Sequence, residues 1–122
     1  MNKQLVSVSL DMCVLALGHL NDINVAQALY ERQCNVITDN IRSAKDLVSE
    51  IYSSTSSTDD RDMVVRIDDS LAKALGYMST SMSVIFDSIL LKCAYKALDD
   101  ATINMALLLD GCDDPIVEYE EE

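Results

Sequence analysis

Apolar side chains dominate the first stretch of the chain, from about residue 4 to residue 20. Its polar positions reduce to a thin line formed by Ser7, Asp11 and Gly18. A helix with this pattern is buried on most of its sides. We therefore expect a short first helix that the rest of the protein covers.

The next segment has the spacing of a helix with a single apolar face. From Ile37 onward its apolar positions advance by four, three, four and three residues, and the opposite positions are polar. This pattern predicts a helix over about 23–52, capped by Asn21 or Asp22. Residues 53–58 are all serine or threonine. This segment predicts a loop, because its side chains compete with the backbone for hydrogen bonds.

The third segment starts at Asp59 or Asp60, and its apolar stripe keeps helical spacing from Val64 to Cys93, straight across Gly76. Unbroken spacing favours one long helix over about 60–98, with Gly76 as a candidate kink. The alternative is a break within 78–83, where hydroxyls cluster close to a glycine that costs about 1 kcal/mol relative to alanine.

The last helical segment is short. Asp99 and Asp100 are expected to cap a helix over 101–110, and Gly111 is expected to end it in a left-handed conformation. No stretch alternates apolar and polar residues long enough to predict a strand. The sequence therefore predicts an all-α fold, an irregular four-helix bundle built on a long antiparallel helical hairpin with short N- and C-terminal helices.

A second apolar stripe lies on the third segment, roughly opposite the first. Two apolar faces need two neighbours, which are either other helices of the chain or a second copy, and large exposed stripes are uncommon on monomers. We therefore expect a homodimer and an apolar interaction stripe made of Val84, Leu91, Tyr95 and Leu98.

Composition limits the partners. The chain has 122 residues, 49% of them apolar, and a net charge of −12. That is enough for one folded domain, which we place at 1–114, with an acidic tail at 115–122. The negative field opposes direct binding to nucleic acid and to anionic membranes and favours a basic protein surface.

The excess negative charge lies toward the C-terminal end. Asp62 with Arg66 and Asp69 with Lys73 have the spacing of helical ion pairs, which would use scarce bases. Residues 99–122 hold nine acids and no base. We expect an acidic interaction surface made of Asp99, Asp100, Asp110, Asp113, Asp114, Glu118, Glu120, Glu121 and Glu122.

Residues with catalytic potential are sparse. His19 is the single histidine, the three glycines are too far apart for a phosphate-binding loop, and no Glu-x-x-His or Cys-x-x-Cys occurs. The four cysteines are widely spaced and predict reduced thiols. Asp11 interrupts the N-terminal apolar run, so we expect neither a signal peptide nor a membrane span. The prediction is a cytoplasmic protein that is not an enzyme and binds no cofactor or metal.

These features favour a non-enzymatic protein–protein interaction module: a small acidic helical adaptor, assembly factor or inhibitor that binds a basic partner surface. The alternative is a DNA-mimic inhibitor of a nucleic-acid-binding protein, of phage or mobile-element type. The chain is similar to such inhibitors only in size, helicity, acidity and its Glu-rich end. A third hypothesis, an all-α metal-dependent nucleotide hydrolase, would need clustered Glu-x-x-Glu motifs, and the sequence has none.

Overall fold

The computed structural model describes residues 2–22, 30–83 and 88–111. Within these ranges the chain forms four helices and no strand, so the predicted all-α class is confirmed. The helices are α1 (Lys3–Asn21), α2 (Tyr30–Ser54), α3 (Thr58–Ser83) and α4 (Ser88–Asp110).

The four helices pack in a closed ring. Helix α1 packs against α2 and α4, and α3 packs against the same two helices. This is the contact pattern of a four-helix bundle, in which each helix turns one face inward. The predicted stripe of α2 is confirmed as a core face, since each of its members is at most 2% exposed: Ile37, Ile41, Ala44, Val48 and Ile51.

Helix α1 begins and ends with side-chain and backbone caps. The Asn2 side chain accepts hydrogen bonds from the backbone N–H groups of Gln4 and Leu5, at 3.1 and 3.2 Å. Asp22, a predicted cap for the next helix, is instead the C-cap of α1, and its backbone N–H donates to the carbonyl of Gly18. The predicted start of the second helix lies in residues 23–29, outside the described residues.

The expectation that the first helix is buried on most sides is wrong. One face of α1 enters the core, but Val14 and Leu15 on the other side are 53% and 52% exposed. The reason is the ring arrangement, because a helix in such a ring has neighbours on its inner side only. The sequence pattern shows that a helix is apolar on all sides, but it does not show how many other helices pack against it.

The predicted loop over 53–58 is narrower in the structure. Helix α2 continues to Ser54, α3 begins at Thr58, and only the three residues between them are non-helical. Ser57 rather than an aspartate accepts a hydrogen bond at the start of α3, from the backbone N–H of Asp60 at 3.4 Å. Thr55 is buried, and its backbone carbonyl accepts a 2.7 Å hydrogen bond from Nε of Arg61.

The long third helix is the main error of the sequence prediction. Helix α3 does pass through Gly76, but it ends at Ser83, and α4 begins at Ser88 and packs against α3. One straight helix over 60–98 cannot pack against itself, so residues 60–98 do not form a single straight helix. Ile89, within the apolar stripe predicted from Val64 to Cys93, is 70% exposed.

The start predicted for the last helix is wrong, whereas its predicted end at Asp110 is confirmed. Asp99 and Asp100 lie in the middle of α4 and cap nothing. Gly111 follows the helix, and its backbone N–H donates to the Leu107 carbonyl at 3.0 Å. No described glycine has a positive φ, so Gly111 does not end the helix in the left-handed conformation.

One helix of the described part, α1, is long and apolar enough to cross a membrane by length and composition alone. The sequence prediction excluded a membrane span because Asp11 interrupts the apolar run. One aspartate does not bring the mean hydropathy of α1 below the value that a membrane span needs. Helices that belong to a protein core meet the same criterion of length and composition, and α1 packs against α2 and α4.

Candidate interaction surfaces

The interior of the bundle is apolar, and its buried hydroxyl groups are already hydrogen-bonded. Ser9 of α1 donates to the Ala44 carbonyl of α2 at 3.1 Å and so links the two helices. Thr38 and Thr55 donate within α2, to the carbonyls of Asn35 and Ile51 at 3.0 and 2.6 Å. Buried polar groups with partners are structural, and these three need no ligand.

The described cysteines are free thiols. Cys13 and Cys34 are buried and Cys93 is half-buried, while Cys112 lies outside the described residues. Burial raises the pKa of Cys13 to about 12, against a smaller lowering by a hydrogen bond with Thr102 of α4. The thiol is therefore protonated at neutral pH and is a poor nucleophile.

The described residues offer no set of three or more His, Cys, Asp or Glu side chains that could hold a metal ion. His19 is exposed in the last turn of α1.

A groove of about 250 Å³ lies between α2 and α3, lined mainly by Val48, Tyr52 and Val65. Two interhelical contacts flank it. The Arg61 guanidinium lies 5.1 Å from the centre of the Tyr52 ring, and Lys45 Nζ lies 3.2 Å from Asp68 Oδ1. Because Lys45 faces this otherwise unbonded oxygen, both bases near the groove already have partners.

A different kind of groove runs between α3 and α4. It consists of two adjoining hollows of about 340 and 190 Å³ that share Ser70, Lys73 and Asp100. Arg66 lines the first hollow and Lys96 the second. We call these two hollows together the α3/α4 groove.

The three bases of the α3/α4 groove have no acidic partner among the described residues. Within that part of the chain, the side-chain ion pairs closer than 4.0 Å are Arg42–Asp39 and Lys45–Asp68. The pairs expected from spacing, Asp62 with Arg66 and Asp69 with Lys73, are therefore wrong. Such pairs gain only a few tenths of a kcal/mol, too little to hold two long exposed side chains together. This groove was not predicted, because Arg66 and Lys73 were expected to pair with Asp62 and Asp69.

The predicted apolar stripe on the third segment does not form an exposed surface. Leu91 and Leu98 of α4 are 8% and 0% exposed and belong to the bundle core. Tyr95 is 39% exposed, and Val84 lies outside the described residues. The chain covers Leu91 and Leu98 itself, because α4 packs between α1 and α3 and needs an inward apolar face.

The exposed apolar side chains lie elsewhere. On α4, Ile103 and Leu107 are 51% and 56% exposed, and they are four residues apart on one side of the helix. On α1, Val14 and Leu15 are more than half exposed. These exposed residues were not predicted, because other parts of the chain were expected to cover both helices.

The predicted acidic surface is described in part. Asp99 is half-buried, and Asp100 and Asp110 are exposed on α4. The other members lie outside the described residues: Asp113, Asp114, Glu118, Glu120, Glu121 and Glu122. Two further acids that the prediction did not include, Asp59 and Asp60, occupy the first turn of α3.

Comparison of the chain with protein-family models, with curated proteins and with solved structures finds no match. What the protein does is therefore inferred from its own surfaces and charges.

Proposed function

We propose that the protein is a non-enzymatic interaction module that binds a partner protein with a basic surface. The proposed binding surface is one acidic end of the bundle, where the start of α3 and the end of α4 meet. The observation that carries this proposal is the order in which residues of neighbouring helices contact each other.

Helices α2 and α3 are proposed to form an antiparallel hairpin. Arg61 near the start of α3 lies over Tyr52 near the end of α2. Two turns further along α3, Asp68 pairs with Lys45, which lies two turns back along α2. Contacts that advance on one helix and retreat on the other support opposite directions.

The same reasoning applies to α3 and α4. Arg66 of α3 lines a hollow with Asn104 of α4, whereas Tyr77, further along α3, lines a hollow with Cys93, further back along α4. This order supports an antiparallel pair, which places the first turn of α3 beside the last turn of α4.

Acidic residues from three helices then converge on one end of the bundle. The described members are all at least partly exposed: Glu50, Asp59, Asp60, Asp62 and Asp110. We call this end, defined by these five residues, the acidic end. Six more acids follow Asp110 in the sequence, within residues 112–122. Concentrated negative charge speeds encounter with a basic surface and makes binding sensitive to salt.

The proposed setting is the cytoplasm, which is supported by the three free cysteines of the described part. Self-association as a homodimer is proposed through the outer side of α1, where Val14 and Leu15 are exposed. DNA mimicry is a narrower form of the same proposal, in which the basic partner is a DNA-binding protein.

The test compares two variants of equal net charge. One changes Asp59, Asp60, Asp62 and Asp110 to Asn, and the control changes four exposed aspartates elsewhere: Asp11, Asp22, Asp39 and Asp46. The probe is a synthetic arginine-rich peptide, titrated by calorimetry at about 50 mM and about 300 mM salt. We expect the acidic-end variant to bind at least about tenfold more weakly than the control, a difference of about 1.4 kcal/mol.

Equal binding by both variants would contradict the proposal, because net charge alone would then explain the affinity. A second probe separates the two kinds of partner. If the protein displaces a fluorescent duplex from a purified basic DNA-binding protein and the acidic-end variant does not, DNA mimicry is supported. If the peptide binds but the duplex stays bound, the wider proposal holds without mimicry.

A further inference from the structure

We propose that residues 112–122 dock onto the α3/α4 groove of the same chain. Glutamates of this segment would lie against Arg66, Lys73 and Lys96, and Ile116 and Val117 would cover the exposed apolar residues of α4. The inference goes beyond the proposed function because it needs no external partner.

The groove has unsatisfied positive charge in a strongly negative protein. The chain has nine bases and 21 acids, yet Arg66, Lys73 and Lys96 have no carboxylate within 4.0 Å in the described part. Asp69 and Asp100 also line the groove and leave it with a small positive excess. An acidic peptide in this groove can place its carboxylates beside the bases and away from these two aspartates.

Residues 112–122 supply such a peptide. They contain six acids and no base, and they follow directly after Gly111 at the end of α4. A segment attached to the protein it binds has an effective concentration in the millimolar range. Weak charge–charge contacts that would not hold a separate peptide can therefore hold this one.

The segment is long enough to reach the groove. At 1.5 Å per helical residue, Ile103 lies about 12 Å and Lys96 about 22 Å back along α4 from Gly111. The nine residues from Gly111 to Glu120 span up to about 30 Å when extended. The difference leaves room for the chain to reverse direction near Pro115.

The order of residues in the segment matches the order of features on the surface. Going back along α4, exposed Leu107 and Ile103 come first and the bases of the groove follow. In the segment, Ile116 and Val117 come first and the run of glutamates from 120 to 122 follows. Apolar residues therefore meet apolar residues, and acids meet bases, in a single pass.

Docking within one chain would also prevent a wrong assembly. An open basic groove could bind the acidic end of a second copy, and that contact would be repeated from molecule to molecule because it does not close on itself. A covered groove no longer offers its three bases to a second copy. The competing occupant of the groove is thus the acidic end of a second copy, which the experiment below distinguishes.

The test places a spin label in the segment and measures its effect on the bundle by nuclear magnetic resonance. Cys93 and Cys112 are changed to Ser, Glu121→Cys carries the label, and Cys13 and Cys34 stay buried. We expect the amide signals of Lys73, Lys96 and Ile103 to lose more than about half of their intensity at low salt. They should recover near 1 M salt, where the screening length falls to about 3 Å.

Two matched variants test the bases. K73E/K96E reverses two groove charges, and R32E/R42E makes the same change in net charge on α2. We expect the first variant to restore the signals and the second to leave them attenuated. A third variant changes Glu118, Glu120 and Glu122 to Gln, leaves the bundle untouched, and should also restore the signals. It decides the question if K73E/K96E does not fold.

Several results would overturn the proposal. These are unattenuated groove signals in the labelled wild-type background, attenuation that survives the glutamine variant, and loss of attenuation in R32E/R42E as well. A mixture of ¹⁵N protein without a spin label and spin-labelled ¹⁴N protein tests whether a second copy occupies the groove. Attenuation of the ¹⁵N signals in this mixture, lost on dilution, would show that the groove binds another molecule rather than its own chain.

Discussion

Replacing Gly76 by alanine should stabilise the protein. Gly76 is an exposed residue inside α3, far from both ends of that helix. Glycine in a helix interior is less stable than alanine by about 0.5–1 kcal/mol, because the unfolded chain loses more conformations on folding. A methyl group at Gly76 would have no atom within 4 Å outside the helix's own backbone, and φ is not positive there, so no clash opposes the gain.

The expected gain is measurable by thermal unfolding. Unfolding entropy is about 2.1 cal/mol/K per residue, so a gain of 1 kcal/mol in this chain of 122 residues raises Tm by about 4 °C. Gly18→Ala is the matched control, because Gly18 is also exposed within a helix and has the same open space. The two sites lie on different helices, so their effects on the free energy of unfolding should add in the double variant.

Proline at the same position tests the helix from the opposite direction. Gly76→Pro removes a backbone N–H and introduces a clash, which costs about 3 kcal/mol or more inside a helix. If Gly76→Ala lowers Tm while Gly18→Ala raises it, the chain is not an uninterrupted helix at Gly76. A tolerated proline would lead to the same conclusion, and the reasoning from helix propensity would be refuted.

Three further predictions concern buried and exposed side chains. Ser9→Ala removes the hydrogen bond to the Ala44 carbonyl and should lower the free energy of unfolding by about 1 kcal/mol in urea titrations, whereas an unchanged value would show that the bond contributes nothing. Burial raises the pKa of Cys13 from 9.0 to about 12, so the unfolded chain loses this proton at lower pH than the folded protein does. The free energy of unfolding should therefore fall from about pH 9 to pH 12 more steeply in wild type than in Cys13→Ala. Parallel pH profiles of the two proteins would contradict the assignment. Val14→Ser with Leu15→Ser should turn a homodimer into a monomer in sedimentation experiments, and a wild-type monomer at all concentrations would reject self-association through α1.

Much of the helix content follows from local spacing. The core face of α2 was predictable residue by residue, because apolar positions three and four apart can point in one direction only in a helix. The same argument correctly carried α3 through Gly76, since a glycine weakens a helix without shifting its periodicity. The three-residue loop before Thr58 was predictable in position from its serines and threonines, although not in length.

The candidate surfaces were less predictable. Leu91 and Leu98 had the right pattern for an apolar face, but the pattern does not say whether another helix of the same chain covers it. The structure covers it, and leaves Ile103 and Leu107 exposed instead. Likewise, Asp69 and Lys73 have the spacing of an ion pair, but exposed pairs gain too little energy for spacing to predict contact.

By itself the sequence determined that the chain is helical, which positions of α2 and α3 are apolar, and that the acidic residues accumulate toward one terminus. These properties depend on composition and on neighbours within about four residues along the chain, so they can be predicted from the sequence. Only the tertiary structure decided that α3 and α4 are separate helices that pack together, which side of α4 faces inward, and how much of α1 stays exposed. These depend on which distant helices pack together, because burial is a property of the whole bundle and not of any one segment.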